Sequence, residues 1–211
     1  MRFNRQLCQH AIIQAPMAGG ATTPELVAAV SNAGALGSLA APLLSPLEII
    51  EKAEHIRRLT DKPFAINLFV QSQPRVDLDV LEKAKELLQP VCAELHIDHL
   101  PTPTRWCEDF EAQLDALITA KPAVASFTFD VLHSAQIQRL HQAGIAVVGS
   151  ATNLAEAQVW QALGADAVCL QGVEAGGHRG TFIGEQSAAQ SGSYELLRLC
   201  RDSLHIPIIL A

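Results

Sequence analysis

Short apolar runs alternate with helix-like segments along most of this chain of 211 residues. Seven runs are candidate strands, at residues 11–16, 35–40, 64–70, 123–129, 145–150, 165–170 and 207–211. Most of them are too continuously apolar to leave one side facing solvent, which is typical of parallel strands covered by helices. The alternation therefore predicts an α/β fold built from repeated strand–helix units.

Local signals mark where the intervening helices begin and end. Ser45-Pro46-Leu47-Glu48 combines an N-cap serine, a proline at the first helical position and a glutamate that can reach back to the cap. Thr23-Pro24 and Asn153-Leu154-Ala155-Glu156 indicate two further helix starts. A glycine separates helix from strand at three junctions, namely Gly34, Gly144 and Gly164.

The number of strands favours a TIM-type (β/α)₈ barrel, a fold that needs roughly 250 residues. Because the chain ends inside the seventh candidate strand, we expect an incomplete barrel that lacks its eighth strand. A doubly wound open sheet is the alternative, since it needs no eighth strand. We expect one domain over residues 1–211, with residues 71–122 as an elongated crossover between strands three and four. Within that crossover we expect helices over residues 76–88 and 107–119.

Charge and composition exclude several classes of protein. A formal net charge of −7, with no long block of Lys and Arg, argues against a nucleic-acid-binding surface. No uncharged run approaches the ~20 residues that a membrane-spanning helix needs, and the first residues lead into no secretory signal. The five cysteines are widely spaced and form no C-x-x-C pair, so we expect reduced thiols in a cytoplasmic protein.

Polar or glycine-rich residues follow nearly every candidate strand. They are residues 16–20, Ser38, Asn67, residues 126–130, residues 149–152 and residues 171–181. Functional groups of βα-barrels sit at the carboxyl ends of the strands. The sequence therefore predicts a ligand site at that end of the sheet.

His178 is the strongest candidate for a reacting group, because it lies in the glycine-rich loop QGVEAGGHRGTF, residues 171–182. Imidazole can act as acid, base or hydrogen-bond donor near neutral pH, although a loop histidine can also simply be solvated. We expect no metal site, since His96 and His99 lie in a proline-containing crossover without complementary ligands. No cysteine has a visible base partner, which disfavours a thiol nucleophile.

Other positions allow two interpretations. Asn67, an amide in an apolar strand, either satisfies a neighbouring backbone group or faces a heterocyclic ligand. The same two interpretations apply to Gln14 and Gln171. The stretch from Gly149 to Thr152 precedes a helix, where free N–H groups bind anions in some proteins and belong to an ordinary capped junction in others.

Five collinear motifs together resemble the nitronate monooxygenase family, formerly called 2-nitropropane dioxygenase. They are IIQAPMAGG at 12–20, INLF at 66–69, SFTF at 126–129, GSAT at 149–152 and the loop at 171–182. The resemblance implies a TIM-barrel flavoprotein that holds FMN without a covalent link. It also implies oxidation of alkyl nitronates, such as propionate 3-nitronate, by molecular oxygen, which is a detoxification activity.

The resemblance also implies roles for individual residues. The positions that it assigns to FMN binding are Ala15, Pro16, Met17, Asn67, Gly149, Ser150, Gln171, Gly176 and Gly177. His178 would face the substrate beside the flavin, and Thr128 and Gly20 would line the substrate pocket. Homodimer formation is left open.

The sequence departs from the family in two respects. Asp130 stands where the family often has glycine, and some members have histidine in place of Thr128, so the substrate is not fixed. Family members also continue past Leu210-Ala211 into a segment that cradles the FMN phosphate, so we expect weakened flavin retention and impaired activity. The alternatives are a flavin-dependent enoyl-acyl-carrier-protein reductase, an NADH:quinone reductase or a non-catalytic fragment.

Overall fold

A computed structural model describes residues 7–211, in which six parallel strands form one sheet. The strands are β1 (Gly37–Ala40), β2 (Phe64–Phe69), β3 (Val124–Thr128), β4 (Ala146–Ala151), β5 (Ala167–Leu170) and β6 (Ile208–Leu210). The helices are α1 (Pro24–Asn32), α2 (Pro46–Leu59), α3 (Leu78–Glu94), α4 (Phe110–Ala120), α5 (Ser134–Gln142), α6 (Leu154–Leu163) and α7 (Ser193–Cys200). The prediction that no secretory signal opens the chain rests partly on residues 1–6, which lie outside the described residues.

The strands follow one another in the sheet in the order of the sequence, from β1 to β6. A doubly wound sheet reverses its strand order at a switch point, and no reversal occurs among the described strands, so that alternative is wrong. The sheet is instead a curled, incomplete TIM-type barrel with helices on its outer face, as predicted.

The first candidate strand, at residues 11–16, is not a strand in the structure. Leu36 donates to the carbonyl of Ile12, and Gln14 donates to the carbonyl of Leu36, both at 3.0 Å. The next N–H, that of Ser38, donates at 3.0 Å to the side-chain Oε1 of Gln14, not to its main-chain carbonyl. The ladder therefore stops at one isolated bridge between Ile13 and Leu36.

The predicted helix signals are confirmed. Ser45 forms a capping box with Glu48, whose carboxylate accepts from the Ser45 N–H at 2.8 Å. The side chains of Thr23 and Asn153 cap α1 and α6. The three junction glycines adopt the left-handed conformation, namely Gly34, Gly144 and Gly164 with φ of +88°, +77° and +95°.

The connection between β2 and β3 contains α3 and α4. Helix α4 packs against α2 and the sheet, starting at the cap residue Asp109 rather than at Cys107. Helix α3 continues through Pro90 to Glu94, beyond the predicted end, and none of its side chains is buried against the described residues. No helix in residues 7–211 is both long enough and apolar enough to cross a membrane.

Strand parity separates two apolar layers. Alternate residues on the convex face pack against the helices, and this core includes Ile66, Phe127 and Trp160. The intervening residues on the concave face form a smaller cluster, which includes Val124 and Val148. Gly149 lies on the convex face, where a Cβ would meet the Trp160 ring at 2.0 Å.

We predict that Gly149→Ala lowers the free energy of unfolding by about 3 kcal/mol, because the buried Trp160 ring would have to move. Urea unfolding followed by circular dichroism measures the change. Gly176→Ala is the matched control, since a Cβ there has no neighbour within 4 Å. Equal stability of the two variants would contradict the assignment of Gly149 to the packed core.

Candidate active site

Polar side chains occupy the concave face near the carboxyl ends of β2, β3 and β4. The strand register pairs Asn67 with Ser126. The amide nitrogen of Asn67 donates to the carbonyl and to Oγ of Ser126 at 3.2 and 3.1 Å. Thr128 and Ser150 contact each other through their hydroxyl groups at 3.3 Å. The four side chains form a polar floor, which we define as Asn67, Ser126, Thr128 and Ser150.

Asn67 fits both interpretations of the sequence. Its nitrogen satisfies a neighbouring backbone group on β3, as the structural interpretation predicts. Its side-chain amide oxygen accepts no hydrogen bond from residues 7–211, although the residue is only 4% exposed. The polar floor therefore offers an acceptor that a ligand can use.

The turn after residue 14 is fixed by a side-chain network that the sequence analysis did not identify. The hydroxyl of the buried Thr22 accepts from the Met17 N–H at 2.9 Å and from the Gln14 amide at 3.3 Å. These bonds fix the turn that contains Ala15, Pro16 and Met17, which follows the bridge to β1 and lies at the carboxyl edge of the sheet. Gly20 follows in the same turn, exposed and with φ of +103°.

Gln171 organises the histidine loop from within. Its amide nitrogen donates to the carbonyl of His178 at 2.9 Å, and its amide oxygen accepts from the Gly180 N–H at 2.8 Å. Both ends of the amide are therefore used by the loop. Gln171 acts here by shaping the backbone around His178.

Two charged side chains fasten the same loop to its surroundings. Arg179 donates to the carbonyls of Ala189 and Gln171, and partial desolvation lowers its pKa. Glu174 accepts from the Ser193 N–H at 2.8 Å, at the start of α7. Its own main-chain N–H and that of Ser193 lower the pKa of the Glu174 carboxyl.

His178 lies exposed at the rim, and its imidazole nitrogens make no hydrogen bond with residues 7–211. Its ring approaches that of Phe129 edge to face, with centroids 6.3 Å apart. Gly176 and Gly177 precede it, both exposed and with open space where a Cβ would stand. The loop thus presents a free imidazole beside accessible backbone.

Glu156 links this loop to the end of β4. Its carboxylate is fully buried and accepts from the N–H and the hydroxyl of Thr152 at 2.6 and 2.9 Å. It also accepts from the N–H groups of Phe182 and Ile183 at 2.7 and 2.9 Å. In the sequence Glu156 is recognisable only as part of a capping motif, because its loop partners lie 26 and 27 residues further along the chain.

The predicted pair Gly149 and Ser150 divides between the two faces of the sheet. Ser150 belongs to the polar floor, whereas Gly149 lies against Trp160. The indole nitrogen of Trp160 donates to the Ser150 carbonyl at 3.1 Å. Gly149 therefore serves the core directly beneath the site.

Other candidate groups stay apart from this site. Residues 7–211 contain no cluster of three or more side chains that could hold a metal ion. Cys169 lies near the concave face, but burial raises the pKa of its thiol to about 11. A cleft of about 460 Å³ lies at the opposite, amino ends of β2 and β3, where Arg57 is engaged with the main chain at the end of α4.

Comparisons with known proteins agree on one family. The family model described as nitronate monooxygenase matches residues 3–211. A probable nitronate monooxygenase of Bacillus subtilis (strain 168) is 39% identical over 204 residues, which cover 95% of this chain and 57% of the relative. One from Staphylococcus aureus (strain MRSA252) is 35% identical, with 96% and 57% covered.

Solved structures resemble this fold as well. A nitroalkane oxidase from Streptomyces ansochromogenes is 37% identical with a TM-score of 0.87, over 96% of this chain and 58% of that protein. FabK from Thermotoga maritima is 26% identical with a TM-score of 0.68, over 96% of this chain and 51% of that protein. The chain thus spans less than two thirds of the relatives it matches.

We predict that Glu156→Gln lowers the free energy of unfolding by about 2–4 kcal/mol. The new NH₂ group would face main-chain N–H groups and leave them unpaired. Hydrogen exchange should speed up at Phe182 and Ile183, and chemical denaturation measures the stability. Glu185→Gln, an exposed change in the same segment, is the control. Unchanged exchange at both amides would refute the link between the loops.

Proposed function

Because this chain belongs to the nitronate monooxygenase family, we propose that it is a flavin-dependent oxidoreductase that uses FMN. The proposed reaction is the oxidation of alkyl nitronates, such as propionate 3-nitronate, by molecular oxygen. The observation that carries the proposal is the free imidazole of His178 at the rim of the polar floor.

The residues present fit a planar heterocycle with donors and acceptors on its edge. The polar floor offers the side-chain amide oxygen of Asn67, which accepts no hydrogen bond from the described residues. A Cβ at Gly176 or Gly177 would have no neighbour within 4 Å, so a flat ring can approach their backbone. Ala15, Pro16, Met17 and Ser150 complete the set that would hold FMN. Gly149 and Gln171 support that set from the core and from within the loop.

FMN, when bound, supplies the redox chemistry, and the protein supplies position and electrostatics. A nitronate is a carbanion equivalent whose negative charge resides on its nitro oxygens. His178 can donate a hydrogen bond to those oxygens, or take the α-proton when a neutral nitroalkane is offered. We favour the first role. Thr128 and Gly20 are the neighbouring positions that we assign to the substrate pocket.

The proposed cellular setting is the cytoplasm. Its support is that Cys8, Cys92, Cys107, Cys169 and Cys200 are all free thiols. Homodimer formation stays a prediction.

Flavin binding is tested first and by itself. FMN titrated into the purified chain should give a protein-bound visible spectrum at equilibrium, even where the weakened retention expected from the sequence lets it dissociate on gel filtration. Asn67→Ala should weaken FMN affinity about tenfold, because it removes the free acceptor of the polar floor. Gln89→Ala, an exposed change on α3, should leave the affinity unchanged. A spectrum that stays that of free FMN at saturating concentrations of the unsubstituted chain would reject the FMN proposal.

The role of His178 is tested by oxygen uptake with propionate 3-nitronate. His178→Asn should lower kcat/KM roughly 10- to 100-fold, which corresponds to one hydrogen bond to a charged group. FMN affinity should stay within twofold, while His205→Asn, at an exposed histidine outside the site, should change neither quantity. NADH consumption without nitronate-dependent oxygen uptake would reject this reaction and favour the reductase alternatives.

A further inference from the structure

Phe129 adopts a main-chain conformation that bulky side chains rarely take. Its φ is +81°, directly after the end of β3. Outside glycine, such a conformation in a large residue points to strain that the surroundings must maintain, and it is concentrated at functional sites. A glycine would adopt this turn without strain, so the phenylalanine ring needs an explanation of its own.

The ring of Phe129 stands between two others at the rim of the polar floor. It lies 4.6 Å from the ring of Phe69, centroid to centroid, at an angle of 71°. It lies 6.3 Å from the imidazole of His178, at an angle of 88°. Both contacts have the edge-to-face geometry that aromatic pairs prefer. Residues from the ends of β2 and β3 thereby reach the loop after β5.

The backbone of His178 and its side chain are held by different groups. Gln171 fixes the His178 carbonyl at 2.9 Å. The imidazole makes no hydrogen bond with residues 7–211, and its aromatic contact is with Phe129. Because the backbone of His178 is fixed, only its two side-chain torsions are free. The orientation of the imidazole therefore depends on the surface against which it packs.

We propose that Phe129 is the positioning residue of His178. Its left-handed backbone delivers the ring to the imidazole, and packing on that ring holds the imidazole in one orientation while leaving both of its nitrogens free for the ligand. A hydrogen-bonding partner would set the same orientation but would consume one nitrogen. The identity of the ligand that His178 binds rests on the function proposed above, whereas the packing of His178 on Phe129 does not.

Nuclear magnetic resonance on the histidine-labelled full chain tests the packing without any activity. The chain has eight histidines, and the His178 signal is identified by its loss in His178→Asn. Phe129→Leu should abolish the ring-current shift of the His178 ring protons, and Phe129→Tyr should retain it. Phe110→Leu, which removes a half-buried ring at the start of α4, should leave the His178 signal unchanged. An unchanged signal in Phe129→Leu would overturn the proposal even if the chain proves inactive.

The variant Phe129→Gly distinguishes the role of the ring in positioning His178 from the effect of backbone strain at residue 129. Glycine accepts the positive φ, so this variant should fold at least as stably as Phe129→Ala. It should nevertheless lose the ring-current shift and, with nitronate, about three- to tenfold in kcat/KM, the fold-change expected from one aromatic contact. Phe129→Tyr, which keeps an aromatic ring, should retain the kcat/KM of the unsubstituted chain. Full kcat/KM in Phe129→Gly would overturn the proposal, because the ring would then have no part in orienting His178.

Discussion

The buried carboxylate of Glu156 is the interaction on which the geometry of the site depends. An ionised carboxylate inside a protein is expensive unless several donors surround it. Thr152 provides two donors and the segment of Phe182 and Ile183 provides two more. Because these donors belong to the loops after β4 and β5, one side chain holds both loop backbones together. The hydroxyl contact between Thr152 and Thr181, at 2.9 Å, reinforces the same junction.

The histidine loop consequently combines a fixed backbone with free functional atoms. Glycines make such a loop costly to order, and each net hydrogen bond returns only about 0.5–1.5 kcal/mol. Gln171 ties the loop at its centre, Arg179 ties it to Ala189, and Glu156 holds its far end. None of these bonds uses the imidazole of His178. The left-handed backbone of Phe129, which costs about 1–3 kcal/mol, is a further local cost at the same rim.

The sequence predicted those features that depend on neighbouring residues. Apolar runs located the six strands, and the motif around Ser45 located a helix start, since capping acts over a few residues. Prediction from the sequence failed where the hydrogen-bond partner is far away along the chain, or where a side chain takes the place of a main-chain acceptor. The side chain of Gln14 replaces a main-chain acceptor and ends the ladder at residue 14. The role of Glu156 depends on donors that only the folded chain brings near it.

Strand parity explains why the site and the core can be adjacent without sharing residues. Successive residues of a strand face opposite sides, so a shift of one position would exchange the two roles. In β4 the hydroxyl of Ser150 meets Thr128 on the concave face, while Gly149 lies against Trp160 on the convex face. Trp160 in turn donates to the Ser150 carbonyl, so the core fixes the backbone from which the polar floor projects. Substitutions in the polar floor can therefore change the hydrogen-bonding groups that face a ligand, while the layer packed against the helices keeps its shape. Gly149 has no such freedom, because any added atom enters the indole.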